Sequence, residues 1–230
     1  MLVNADFSRV VVIVPHQYAW VPSPQPGVTR VMLDRIGAEQ ARATSIVRYA
    51  PGSVFPRHAH PGGEEILVLS GIFSDEHGDY PEGWYLRNPP DSAHRPSSRA
   101  GSLIFVKLRQ MAQDETQPVR IDTRDSSAWR QRGERAVCPL FAGEHEQVCL
   151  QRVAPDTVIF PGTVEGGAEL LVLEGELVVE GQACARGAWI RLPPGSHPLL
   201  AAGRQGATFY LKTGHLISCQ PLRPETLSSR

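Results

Sequence analysis

The chain has 230 residues, of which 41% are hydrophobic, and a formal charge of −1, so it is long enough for one large domain or two compact ones with separate cores. That balance argues against intrinsic disorder and against a polyanionic partner such as nucleic acid. Twenty-one glycines and twenty prolines, with few long apolar runs of helical period, predict many short strands joined by tight turns. The expected fold class is all-β.

Taken in order, the N-terminal stretch contains one apolar run, Val10–Val14, ahead of Pro15 and His16. Five residues are too few for a signal-peptide core or a membrane span, and a soluble cytoplasmic protein is expected. Trp20 stands near a strand start, and Val21–Gly27 (VPSPQPG) carries three prolines in seven residues, which predicts an extended arm or a surface loop. Ile36–Ala43 has the composition of a helical turn or two, and equally of a loop. The segments that follow, Ser45–Gly71 and Gly83–His94, recur as Cys149–Gly175 and Gly187–Pro198 at a constant offset of 104 residues. Ala50–Pro51 matches Ala154–Pro155, Leu67–Val68–Leu69 matches Leu171–Val172–Leu173, Arg87 matches Arg191, and Pro89–Pro90 matches Pro193–Pro194. One β-rich unit is therefore written twice. Apolar runs close the copies at Leu103–Leu108 and Ala207–Leu211, Trp129 opens the second, and the polar stretch Ala112–Ser127 reads as a connector, so the units are placed at 1–113 and 114–230.

The chemistry lies in the first copy. Strand alternation sends His58 and His60 to one face, and Arg57 to the other. After the turn Pro61–Gly63, Glu64 opens a strand from which it can point to the same interior, while Glu65 faces away. His94 follows a second turn, Asn88–Asp91, and supplies a fourth donor. Imidazole and carboxylate without thiolate suit Fe(II), Mn(II), Ni(II), Cu(II) or Zn(II). One divalent ion per chain is expected on His58, His60, Glu64 and His94, with a net charge of about +1 that attracts a small molecule with an anionic oxygen.

The spacing G-x5-H-x-H-x3-E-x6-G (Gly52, His58, His60, Glu64, Gly71) followed by G-x5-P-x-D-x2-H (Gly83, Pro89, Asp91, His94) resembles the two-part cupin signature. In that signature the second part usually has glycine at the place of Asp91 and asparagine at the place of Ser98. The resemblance implies two tandem cupin (jelly-roll) β-barrels, a bicupin, with the metal inside the first near its mouth. Phe73–Ser98 looks more narrowly like the ChrR-type cupin, the C-terminal domain of zinc-dependent anti-sigma factors that respond to oxidative stress. Those proteins add an N-terminal helical domain with its own His/Cys zinc site for the sigma factor. The N-terminal half here contains no cysteine, so a sigma-factor partner would have to be met without that domain.

In the second copy the ligand positions are Gly162, Val164, Ala168 and Pro198, with His197 one residue early; it is expected to be a barrel without metal. His77 reads as part of a solvated turn, and His16, His145 and His215 show no partner pattern. Cys138, Cys149, Cys184 and Cys219 never form a C-x-x-C pair and read as buried free thiols. Three functions follow: a sensory or regulatory bicupin of a stress response; a metal-dependent dioxygenase acting on a β-diketone or flavonol-like enolate, with Glu64 as the catalytic base; and an isomerase or sugar-binding cupin. Cupins pair through sheet edges or arms, which makes a homodimer the expected assembly.

Overall fold

The computed structural model describes residues 1–38 and 40–217; regular structure there is almost all strand, and the helices Pro15–Gln17 and Ser126–Ala128 are single 3₁₀ turns. Two antiparallel sheets follow one plan. In the first, the order is Val28–Ile36, Arg42–Tyr49, Ser102–Leu108, Glu64–Asp75, Trp84–Asn88 and Val119–Asp122. In the second it is Arg135–Ala142, Gln147–Val153, Leu200–Thr213, Ala168–Val179, Trp189–Leu192 and Val11–Ile13. The chain is thus all-β, built as two tandem jelly-roll units whose curled sheets do not close fully. No helix among the described residues is long and apolar enough to cross a membrane.

The last strand of each sheet comes from the other repeat. Val12 pairs with Ile190 in the second sheet, and Ile121 pairs with Tyr85 in the first. The polar stretch between the repeats is therefore more than a connector, because its second half is a strand of the first sheet. Each chain crossing is then tied down. The Tyr18 hydroxyl donates to the Gly187 carbonyl, and the Thr123 hydroxyl donates to the Gly83 carbonyl at 2.5 Å.

Strand alternation sorts the side chains into three apolar clusters. Ile66, Val68, Leu86 and Ile104 fill the first barrel, and Leu170, Val172, Ile190 and Phe209 fill the second. Their neighbours along the same strands, Leu67, Tyr85 and Phe105 from one barrel and Leu171, Trp189 and Tyr210 from the other, meet between the barrels. Burying side chains of this size contributes about 1.5–3 kcal/mol each. Gly71 and Gly175, at equivalent places, hold φ of +72° and +66°, and a Cβ on either would lie 2.1 Å from a carbonyl oxygen of the facing strand. Only glycine fits these bends.

The same alternation carries charge into the interface. Glu65 accepts hydrogen bonds from Arg87 at 3.0 Å, from Lys212 at 2.9 Å and from the Tyr210 hydroxyl. Its repeat equivalent, Glu169, is bonded by Lys107 and by His215 Nε2, the latter at 2.7 Å. Each barrel's lysine thus reaches the other barrel's glutamate. Two reciprocal buried pairs fix how the barrels face each other; Arg87 and Lys212 have further partners in Glu115 and Glu146, whereas removing Glu169 strands the Lys107 charge, at a cost of about 3–5 kcal/mol.

Of the two readings of Val21–Gly27, the surface loop fits and the arm does not: Val21 pairs with Arg30 and Pro22 with Thr29, and the residues between close a tight hairpin. Of the two readings of Ile36–Ala43 the helix fails at its flanks, because Ile36 ends one strand and faces Arg42, which begins the next; Glu39 lies outside the described residues. His215, which showed no partner pattern, is buried against Glu169. Cys138 and Cys184 are buried free thiols, Cys149 is half-buried, and Cys219 lies outside the described residues.

Candidate metal centre

The turn Pro61–Gly63 and the turn at Pro89–Asp91 end two short strands, His58–His60 and Ser92–His94, which pair in register: His58 faces His94 and His60 faces Ser92. Alternation puts His58 and His60 on the inner face and leaves Ala59 exposed outward. The three rings converge, with centroid separations of 4.7 Å (His58 to His60), 4.9 Å (His60 to His94) and 5.3 Å (His58 to His94). One nitrogen from each lies within 4.8 Å of the others, a cluster that could hold a metal ion.

Glu64 enters from the next strand, on the face that also carries Ile66 and Val68. Its Oε2 lies 3.5 Å from His60 Nε2 and 3.2 Å from His94 Nε2, and those two nitrogens are 3.0 Å apart. Donors bound at about 2.1 Å to one ion lie roughly 3.0–3.4 Å from each other, depending on coordination number. Glu64, His60 and His94 come close to that spacing, and His58 shares the looser cluster with the other two rings.

Neighbouring groups orient these side chains. His58 Nδ1 sits 2.9 Å from the Pro56 carbonyl, which leaves Nε2 as its free donor atom when Nδ1 carries the proton. His94 Nδ1 is 3.5 Å from Asp75 Oδ2. Asn88 donates to Glu64 Oε2 at 3.0 Å, and its own Oδ1 accepts from Arg120 at 2.6 Å. Such contacts hold a ligand's rotamer and raise its affinity for metal. Asp75, Asn88 and Arg120 escaped the sequence reading. Asn88 was visible only as the residue before the Pro89–Pro90 turn, Asp75 as part of a polar hairpin, and Arg120 as part of the connector.

Electrostatics follow the same geometry. Burial pushes the Glu64 carboxyl up, but His60, His94 and the Asn88 amide outweigh it, and the carboxyl ends below its ordinary value. Burial holds His60 below the usual imidazole value despite Glu64. For His94, burial is overcome by Asp75 and Glu64, and the net movement is upward. An anionic Glu64 beside a neutral His60 suits metal ligation.

Phe55 and Phe73 lie against His58 and His94 at ring distances of 5.3 and 6.2 Å, with Tyr49 behind both. His58 is half-exposed, whereas His60, Glu64 and His94 are buried, so the cluster opens to solvent on the His58 side. The two departures from the usual cupin wording have local causes. Asp91 sits at φ +63°, a conformation glycine adopts most easily. Ser98 is buried and donates to the Ile72 carbonyl at 2.6 Å.

At the equivalent place in the second barrel Val164 faces Ser196, as His60 faces Ser92. Val164 and Ala168 are buried in the apolar core. His197 is exposed, 3.0 Å from the Thr163 hydroxyl. Arg57 is exposed and paired with Glu76, and His16, His77 and His145 are exposed.

Comparison with known proteins agrees with this architecture. The family model described as the ChrR Cupin-like domain matches twice, over residues 8–112 and 116–217. Among solved structures, a provisionally assigned dioxygenase from Nostoc punctiforme superposes with a TM-score of 0.72 at 14% identity, covering 89% of this chain and 82% of its own. The salicylate 1,2-dioxygenase of Pseudaminobacter salicylatoxidans superposes with a TM-score of 0.61 at 10% identity, covering 91% of this chain and 85% of its own. The nickel(II) complex of the bacterial pirin YhhW from Escherichia coli gives 0.65 at 8% identity, covering 89% and 98%. These likenesses establish a shared fold. The curated proteins contain no match. With both repeats matched over nearly their whole length, the chain belongs to the ChrR Cupin-like domain family.

Proposed function

We propose that this protein is a metal-dependent sensory bicupin in which His58, His60, Glu64 and His94 hold one divalent ion per chain. In this reading unit 1–113 carries the centre, and unit 114–230 is a metal-free partner barrel. The observation that carries the proposal is the Glu64 carboxylate, 3.2–3.5 Å from two imidazole nitrogens and pinned by Asn88. When bound, the ion supplies a Lewis-acidic position of net charge about +1 for an anionic oxygen ligand. The chain's own part is to orient the donors through Pro56, Asp75 and Asn88, and to leave access on the His58 side beside Phe55. The match to the ChrR cupin model supports a regulatory role over a purely structural one. Metal analysis of protein purified without added metal should give about one ion per chain, and His58→Ala/His60→Ala should lose it. Retention of the ion in that variant defeats the assignment.

A second reading, a dioxygenase, is favoured by the fold shared with the salicylate 1,2-dioxygenase. Glu64 is then the base, as the carboxylate facing the three rings, although its depressed pKa suits a ligand better. An oxygen electrode with Fe(II)-loaded protein and a panel of β-diketones and flavonols separates the readings. Consumption above that of Glu64→Ala establishes the enzyme; its absence leaves the sensor.

A further inference from the structure

The crossings that exchange strands enclose a cleft of about 920 Å³ between the barrels, away from the histidines. That size lies in the range that holds small organic ligands, roughly 300–1,000 Å³. Its lining repeats the internal symmetry of the chain. Leu67, Leu69, Leu171 and Leu173 form an apolar floor from the two copies of one strand. On one side the Arg48 guanidinium stacks 3.9 Å from the centre of Trp20, and on the other Arg152 stacks 4.7 Å from the centre of Trp129. Each tryptophan follows a crossing, after Tyr18 in one case and after the Ser126–Ala128 turn in the other, where its Nε1 donates to the Thr123 carbonyl at 2.7 Å.

The charges in the cleft are not balanced. Arg186 pairs with Glu82 at 3.5 Å, and Arg124 with Asp122 at 3.2 Å. Arg48 and Arg152 have no carboxylate within ion-pair distance among the described residues, and Glu174, bonded through Thr208, is the one lining acid left beside them. A guanidinium over an indole can still meet an acid group through its terminal N–H groups; Arg152 already donates from Nε to the Thr208 hydroxyl at 3.4 Å.

We propose that this inter-barrel cleft is a second ligand site, distinct from the metal centre, that takes a small apolar carboxylate with its acid group on Arg48 or its repeat counterpart Arg152 and its body on the leucine floor. The test is isothermal titration of the full chain with 1-naphthoate and with the uncharged 1-naphthamide. Naphthoate should bind once per chain and at least about tenfold more tightly than the amide, a difference of about 1.4 kcal/mol. Arg48→Gln/Arg152→Gln should remove that preference and leave amide binding unchanged. Leu173→Trp, which narrows the floor without touching the arginines, should weaken both probes. Binding should survive in His58→Ala/His60→Ala, which separates this site from the metal. The proposal is overturned if neither probe binds at millimolar concentration, if acid and amide bind alike, or if the histidine variant abolishes naphthoate binding. It is also overturned if light scattering shows a dimer that Leu173→Trp dissociates, because a second copy then fills the cleft.

Discussion

The mouths of the two barrels share a backbone and differ in what they hold. His60 and Val164 pair with serines at the same register, yet one points a ring at two other imidazoles and the other joins an apolar core. Glu64 and Ala168 begin equivalent strands and are both buried, one bonded by Asn88 and the other packed among leucines. The strand plan therefore does not require polar groups at the mouth. Where such groups are buried they need partners, and the first barrel gives Glu64 and His94 theirs in Asn88 and Asp75.

The largest expected effect lies where the barrels are alike. Glu169→Ala leaves Lys107 buried without a carboxylate, whereas after Glu65→Ala Arg87 keeps Glu115 and Glu146 and Lys212 keeps Glu146. Glu169→Ala should cost about 3–5 kcal/mol in urea unfolding and Glu65→Ala less; equal losses would show that Glu115 and Glu146 do not compensate for Glu65. Next, Ala168→Glu places a carboxylate in the second mouth without histidines; a loss of about 3 kcal/mol is expected, and recovery on adding zinc would show a latent site there. Metal should act on the first barrel alone. At a free concentration 100 times its Kd it should add about 2.7 kcal/mol, raising the melting temperature of the wild type but not of His58→Ala/His60→Ala.

The smallest effect concerns acid. Burial pushes His215 down to about 4 despite its bond to Glu169, so the folded protein keeps the imidazole neutral where the unfolded chain protonates it. Stability from this group is complete above the unfolded value near 6.5 and is lost as the pH falls toward 4, on the order of 2 kcal/mol. Asp34, raised to about 6 mainly by burial, works in the opposite direction over part of that window. A urea series from pH 7 to 4 on wild type and His215→Gln isolates the histidine, and identical slopes would remove it from the pH response.

The histidines were readable in the sequence because their chemistry depends on local spacing: an H-x-H pair in a strand must share a face, and Glu64 follows one turn later. The repeat was readable because Arg87 and Arg191, or Gly71 and Gly175, keep one offset. The groups that orient the histidines were hidden, since Asp75 and Asn88 reach the site through pairings set by distant strands. Lys107 and Lys212 were hidden for another reason. They are 105 residues apart rather than 104, and a lysine in a strand reads as surface until its partner across the interface is known. The exchanged strand Val11–Ile13 is three residues long, too short to reveal which sheet it joins.

That exchange constrains the order in which the molecule can be made. The second sheet's edge is supplied by Val11–Ile13, which leaves the ribosome long before its binding place at Trp189–Arg191. The first repeat's edge is closed by Val119–Asp122, which belongs to neither half until the connector has emerged. Contacts this distant in sequence form slowly. During synthesis Val11–Ile13 stays unpaired until Trp189–Arg191 has emerged, so the second sheet reaches its final edge after the first, which needs only Val119–Asp122.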